Sequence, residues 1–207
     1  MRKSVFSIFL AVTIVFAAFG QDKRYNIESA IIKKKIVMTI QGMPEQTISS
    51  VQYFADFGEK ESAETVMSFQ GQTLTVFTMM KDGYVYSANI TLKQGTKVNL
   101  ASMEDYKNVN YLNLTDDIKK KYQIQSKGTE QVLGKTCNLY DMNFTTQGQS
   151  VSGTVWVWNG LVLKSKINAA GTIAEEETTE IQEGARIANE KFELPEGINF
   201  MEIKPQL

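Results

Sequence analysis

Apolar and polar positions alternate with a period of two along most of the chain after residue 25, the pattern of half-buried strands. "AIIKKKIVMTI" places Ile32, Ile36, Met38 and Ile40 on one face, with Lys34 interrupting the row. "TISSVQYFADF" follows as a second strand, with Val51, Tyr53, Ala55 and Phe57 read as its apolar face, and "ETVMSFQG" and "QTLTVFTMM" come next. Asp82-Gly83 then predicts a two-residue hairpin, because a type I′ turn needs positive φ at both central residues. The register follows: Lys81 opposite Tyr84, Met79 opposite Tyr86, Phe77 opposite Ala88, Thr75 opposite Ile90.

The rhythm breaks over residues 101–126. Thr115 is placed to cap a short helix, with Asp116 and Asp117 in its first turn and Lys119, Lys120 and Lys121 in its last turns. Leu114, Ile118 and Tyr122 form its apolar stripe, and a helix this short needs that stripe buried. Strands resume at "TCNLYDMNF". A second hairpin turns on Asn159-Gly160, with Trp158 opposite Leu161, Trp156 opposite Leu163 and Thr154 opposite Ser165. "TIAEEETTEIQEG" and "KFELPEGINFMEI" supply the last strands. The chain reads as an antiparallel meander of about ten strands with a helical insertion, and a sheet that long must curl or close.

The N-terminus bounds where the chain works. Arg2 and Lys3 precede the apolar run "VFSIFLAVTIVFAAF", and Ala18 and Gly20 stand at −3 and −1 of a cleavage site before Gln21. Residues 1–20 read as a cleaved export signal, and residues 21–207 as one domain in the periplasm. The single cysteine, Cys137, excludes both an internal disulfide and a lipidated N-terminus, and is expected to be buried and inert.

Removing residues 1–20 from the 207 leaves 187, enough for one real core. Arg2 and Lys3 leave with the signal, so the net charge moves from −1 to about −3. That balance argues against a nucleic-acid partner. Histidine is absent, which removes the usual general base and the commonest metal ligand; no catalytic motif, cofactor or metal is implied.

The candidate chemistry is therefore apolar. Phe77, Met79, Tyr86, Trp156, Trp158, Leu161 and Leu163 are the candidate wall of a concave hydrophobic site, with Ile118 and Tyr122 on its cover. Ordinary core packing explains the same residues, since a tryptophan buries a large area wherever it goes. Met38, Met67, Met79, Met80 and Met142 suit either an acyl-chain cavity or an adaptable core. Two lysine runs, residues 33–35 and 119–121, are candidates for contact with a membrane surface, but a solvated face explains each. Glu175, Glu176, Glu177 and Glu180 read as a charged strand protected from edge pairing.

"GTEQVLGKTCNLYDM", "GTVWVWNGLVLKSK", "AAGTIAEEETTEIQEG" and "EKFELPEGINF", in that order over roughly residues 126–203, resemble an exported bacterial family of unknown function (DUF4412-like). That family is similar in turn to the lipoprotein carriers LolA and LolB, and less closely to the sensor domain of RseB. The resemblance implies a mainly β (α+β) fold: a strongly curved antiparallel sheet, an unclosed half-barrel with short helices covering the concave face. In the carriers that concave surface holds acyl chains, so the expectation is a binding protein for an apolar or lipid-like ligand, a lipid or lipoprotein acyl chain; a monomer is expected, and the lack of histidine and of a nucleophile motif makes it non-catalytic. The alternative is an envelope interaction or sensing module with a filled core and a protein partner.

Overall fold

A computed structural model describes residues 23–69, 71–100, 109–146 and 148–203. The export signal expected over residues 1–20, and its expected cleavage site, lie outside these residues. The described chain forms one sheet of twelve strands. The first six are β1 (Ala30–Ile40), β2 (Gln46–Ala55), β3 (Lys60–Phe69), β4 (Gln72–Lys81), β5 (Tyr84–Asn89) and β6 (Gln94–Asn99). After a crossover carrying α1 (Asp116–Lys121) come β7 (Gln125–Val132), β8 (Lys135–Thr146), β9 (Gln149–Trp158), β10 (Leu161–Ala169), β11 (Thr172–Glu183) and β12 (Asn199–Ile203).

The spatial order is β12-β6-β5-β4-β3-β2-β1-β11-β10-β9-β8-β7, so two meanders join where β1 pairs with β11. The sheet is curved and unclosed, and all its pairings are antiparallel except that of β12 with β6. The arrangement is the mainly β, unclosed fold expected, with two more strands than the alternation alone resolves.

Local chemistry explains most of the turns. Asp82 and Gly83 both have positive φ, as do Asn159 and Gly160, and both hairpins form where the Asx-Gly pairs place them. Leu133-Gly134 and Ala170-Gly171 adopt the same geometry without the usual residue type at the first position. At the end of β2 the chain bends through Asp56 and Phe57, both at positive φ, which takes Phe57 out of the strand.

The buried row of β2 is Ile48, Ser50, Gln52 and Phe54, the opposite face from the one the alternation favoured. Its neighbour decides this. Ile48 pairs with Ile36 and Phe54 with Ala30, so β2 must present its even-numbered residues to the same side as the buried face of β1.

Two bulges interrupt the ladders at one level of the sheet. Thr179 is an extra residue of β11 against β1, and Leu163 is an extra residue of β10 against β9. Trp156 therefore pairs with Lys164 rather than Leu163, and Thr154 with Lys166 rather than Ser165. The β10–β11 ladder stops at Lys164–Glu177. A bulge bends its strand and increases the local twist. Beyond the bulges Leu161 and Leu163 are buried against Ala30, Ile32 and Phe54, with Trp156 and Trp158 packed on the same cluster.

A strap formed by residues 23–29 closes this end. Arg24 N and Tyr25 N donate to Phe57 O, and Asn26 N donates to Asn159 O at 2.9 Å, so the strap ties the β2–β3 turn to the tryptophan hairpin.

Candidate ligand-binding face

Following the ladders strand by strand separates the two faces of the sheet. One register row runs Leu74, Met67, Ile48, Ile36, Glu176, Ser165, Val155, Tyr140, from β4 across to β8. Ile36, Met38, Ile48 and Met67 form one buried cluster on this face, flanked by the partly exposed Ile40, Leu74, Val76 and Ala174. Val155, Val157 and Val162 form a second, flanked by Tyr111, Tyr140, Met142 and Ile167. The two meet where Ile167 pairs with Ala174. One face thus carries an apolar tract across eight strands.

The crossover lies over the β8 end of the same face. Tyr111 stacks on Tyr140 with centroids 5.8 Å apart, and Tyr122 meets Phe144 edge-on at 5.0 Å. Thr115 caps α1 as expected, accepting from Ile118 N through its hydroxyl. Of the expected cover residues, Tyr122 is buried and Ile118 half-buried. The Tyr111 hydroxyl is shielded, and burial pushes its pKa above the ordinary value of 10.

The other face carries the row Trp156, Lys164, Glu177, Lys35, Ser49, Val66. Phe77 and Met79 share that face, in line with Glu64 and Ser62. The expected wall residues thus fall into two groups separated by charged strands. Phe77 and Met79 are buried with Ala88 beneath Leu194, Ile198 and Phe200, and Tyr86 meets Phe200 edge-on at 5.2 Å. The chain's own C-terminal segment occupies that position.

The tryptophans are half-buried. Trp156 Nε1 donates to Glu130 at 2.9 Å, Lys164 Nζ lies 4.8 Å from the Trp156 ring centroid, and Lys135 Nζ lies 4.4 Å from that of Trp158. In the body of the sheet Val155 and Val157, not Trp156 and Trp158, belong to the apolar tract. Valine between tryptophans gives the sequence reader no reason to prefer it. The preference comes from the partner rows on β10 and β11.

The charged runs are also redistributed. Lys34 is buried inside the apolar face, 2.7 Å from Glu176, whereas a solvated position was expected of the whole lysine run. β11 is a central strand paired on both sides, not a protected edge. Glu175 and Glu180 pair with Lys166 and Lys33 on the exposed side, and the bulge at Thr179 is what separates Glu180 from Glu176.

Around the Lys34–Glu176 pair lie Ser50 and Thr65, whose hydroxyls are 3.1 Å apart, and Thr178, which is opposite Lys34 in the ladder. A second buried network joins Gln52, Glu61, Tyr25 and Arg24. Gln52 donates to Glu61 at 2.8 Å, Tyr25 donates to it at 3.0 Å, and Arg24 lies 2.8 Å from its carboxylate. Burial opposes the charge on Arg24, but Glu61 and Tyr25 together more than offset this and raise its pKa above the usual arginine value. Cys137 is fully buried, and desolvation raises its thiol pKa.

No family model matches the chain, and no curated protein matches it. Solved structures do. An uncharacterised conserved protein from Thermus thermophilus is 9% identical, over 95% of this chain and 99% of that one, with a TM-score of 0.52. A LolA superfamily protein from Nitrosomonas europaea is 11% identical, over 83% of this chain and 93% of that one, with a TM-score of 0.40. The MucA/MucB complex of Pseudomonas aeruginosa contains a chain 15% identical, over 80% of this one and 56% of that one, with a TM-score of 0.46. At such identities the likeness is one of fold. Among the described residues no helix is long and apolar enough to cross a membrane.

Proposed function

We propose that the chain is a non-catalytic periplasmic binding protein that holds an apolar or lipid-like ligand, such as a lipid or lipoprotein acyl chain, along the apolar face of its sheet. The observation that carries this reading is the tract from Leu74 to Tyr140. It spans two meanders, lies on one face of an unclosed sheet, and is rimmed by the partly exposed Ile40, Leu74 and Val76. Each methylene buried against such a surface contributes about 0.8 kcal/mol, so an acyl chain needs no further chemistry for useful affinity. The methionines Met38, Met67 and Met142 adapt to chains of varied shape. The absence of histidine supports a non-catalytic role.

The test is native mass spectrometry of residues 21–207 taken gently from the periplasm, together with displacement of a fluorescent apolar probe by lipids. A discrete, solvent-extractable added mass and dose-dependent displacement are the expected results. Bare protein and no displacement overturn the reading.

One observation favours a protein partner instead. The edge strand β12 exposes Met201 and Ile203, with Met201 70% exposed, and an open edge can take an added strand from another chain. Bare protein that co-purifies with a defined envelope protein, and loses it on Met201→Lys, is the outcome on that reading.

A further inference from the structure

The apolar face is not uniformly apolar, and its polar centre is incompletely satisfied. Thr178 is 1% exposed and its Oγ1 has no hydrogen-bond partner among the described residues; Gln52 is 3% exposed and its Oε1 has none. Buried polar atoms are ordinarily paired, and leaving one unpaired is costly. Thr178 is opposite Lys34 on β11, one step along the same face from Glu176, whereas Gln52 is opposite Ile32 on β2 and belongs to the network with Glu61 and Tyr25. Ile36 and Ile48 are in the register row of Glu176 on one side, and Ser165 is opposite Glu176 on the other.

We propose that this polar centre receives the uncharged, hydroxyl-bearing head of an amphiphile whose hydrocarbon chain lies on the flanking apolar tract. The inference rests on the binding function proposed above and specifies its ligand. Two features select the head. Thr178 Oγ1 both donates and accepts, which a hydroxyl matches. Lys34 and Glu176 balance each other, so a charged head would leave an uncompensated charge in a buried site. A polyol such as glycerol meets both; a fatty-acid carboxylate or a methyl ester does not.

The test uses three probes with one oleoyl chain: monoolein, methyl oleate and oleate. Each is titrated against the mature chain loaded with the neutral dye N-phenyl-1-naphthylamine. The expected order is monoolein tightest. Thr178→Val keeps the side-chain shape, and is expected to weaken monoolein about fivefold, the worth of one hydrogen bond, while leaving methyl oleate unchanged. Thr178→Ser is expected to retain monoolein affinity.

The thermal midpoint of Thr178→Val should stay level or rise, because the substitution removes a polar atom that has no partner. Equal binding of monoolein and methyl oleate, or an unchanged monoolein affinity in Thr178→Val, overturns the headgroup assignment and leaves the apolar site standing. A fall in the midpoint of Thr178→Val also overturns it, since the hydroxyl then serves the fold. Failure of all three probes to displace the dye overturns the binding function itself.

Discussion

Lys34 Nζ lies 2.7 Å from Glu176 Oε1 on the apolar face of the sheet, with side chains 3% and 12% exposed. The pair is diagonal in the ladder: Lys34 is opposite Thr178, and Glu176 is opposite Ile36. Breaking a buried pair from one side strands a charge. Lys34→Met is therefore expected to cost about 3–5 kcal/mol, and the double variant Lys34→Met/Glu176→Leu markedly less. Urea unfolding of both proteins checks this. A double variant as unstable as the single one would show that the charge pairing is not what the site needs.

The strap is held by a buried acid. Glu61 accepts from Tyr25 and Gln52 and faces Arg24. Glu61→Ala is expected to cost about 3 kcal/mol or more, because Arg24 then lies buried beside no carboxylate from Glu61. Tyr25→Phe removes one hydrogen bond to a charged group and should cost about 1.5–3 kcal/mol. Hydrogen exchange at Asn26, whose N–H reaches Asn159, is expected to rise in both variants.

Alkaline pH should destabilise the fold by a route that mutation can isolate. Burial raises the pKa of Tyr111 above its ordinary 10, and burial together with Glu61 raises that of Tyr25. Above pH 10 the unfolded chain loses these phenolic protons while the folded chain keeps them. Stability is then full below the unfolded value and falls as pH rises above it, by up to about 1.4 kcal/mol per pH unit for each group. Tyr111→Phe should flatten the decline of the thermal midpoint between pH 10 and 11 and leave the midpoint at pH 8 nearly unchanged. An unaltered slope would count against a shielded hydroxyl at that position.

Gly95 permits the C-terminal cover. A Cβ there would come within 2.6 Å of the Phe200 ring. Gly95→Val is expected to lift β12 from β6 and expose Phe77 and Met79, seen as faster proteolysis after residue 190 and increased binding of an apolar dye. If dye binding does not change, Phe200 is not what shields that pair.

Trp156→Ala separates the tract from the cluster beside it. Its ring packs with Ala30, Ile32, Phe54, Leu161 and Leu163, outside the row from Leu74 to Tyr140, and its indole N–H donates to Glu130. Lipid displacement of the probe is expected to stay within about twofold of the parent, with a loss of stability of a few kcal/mol from the packing removed. Met67→Ala, on the apolar tract, is expected to weaken displacement severalfold. The reverse ranking would place the ligand against the tryptophans.

The mainly β class, both Asx-Gly hairpins and the capped helix at Thr115 were all legible in the chain, because each depends on residues within a few positions of one another. Turn chemistry requires positive φ at two adjacent residues, and a cap requires an oxygen three residues from an N–H. The faces of β2 and β9 were not legible: in β2 the odd-numbered row looks the more apolar yet the even-numbered row is buried, and in β9 valine alternates with tryptophan. The alternation put Lys34 in the row of Ile32 and Ile36, but its pairing with Glu176 was not legible, since Glu176 comes from a distant run of like charges.

Those features are decided by pairing between strands far apart in sequence. β1 meets β11 across more than a hundred residues, and the bulges at Leu163 and Thr179 exist only relative to partner strands. Sequence by itself determined where the chain turns and which segments extend. Tertiary structure alone decided which side of each strand faces the interior, because a strand offers two sides and a single extra residue opposite a partner exchanges them.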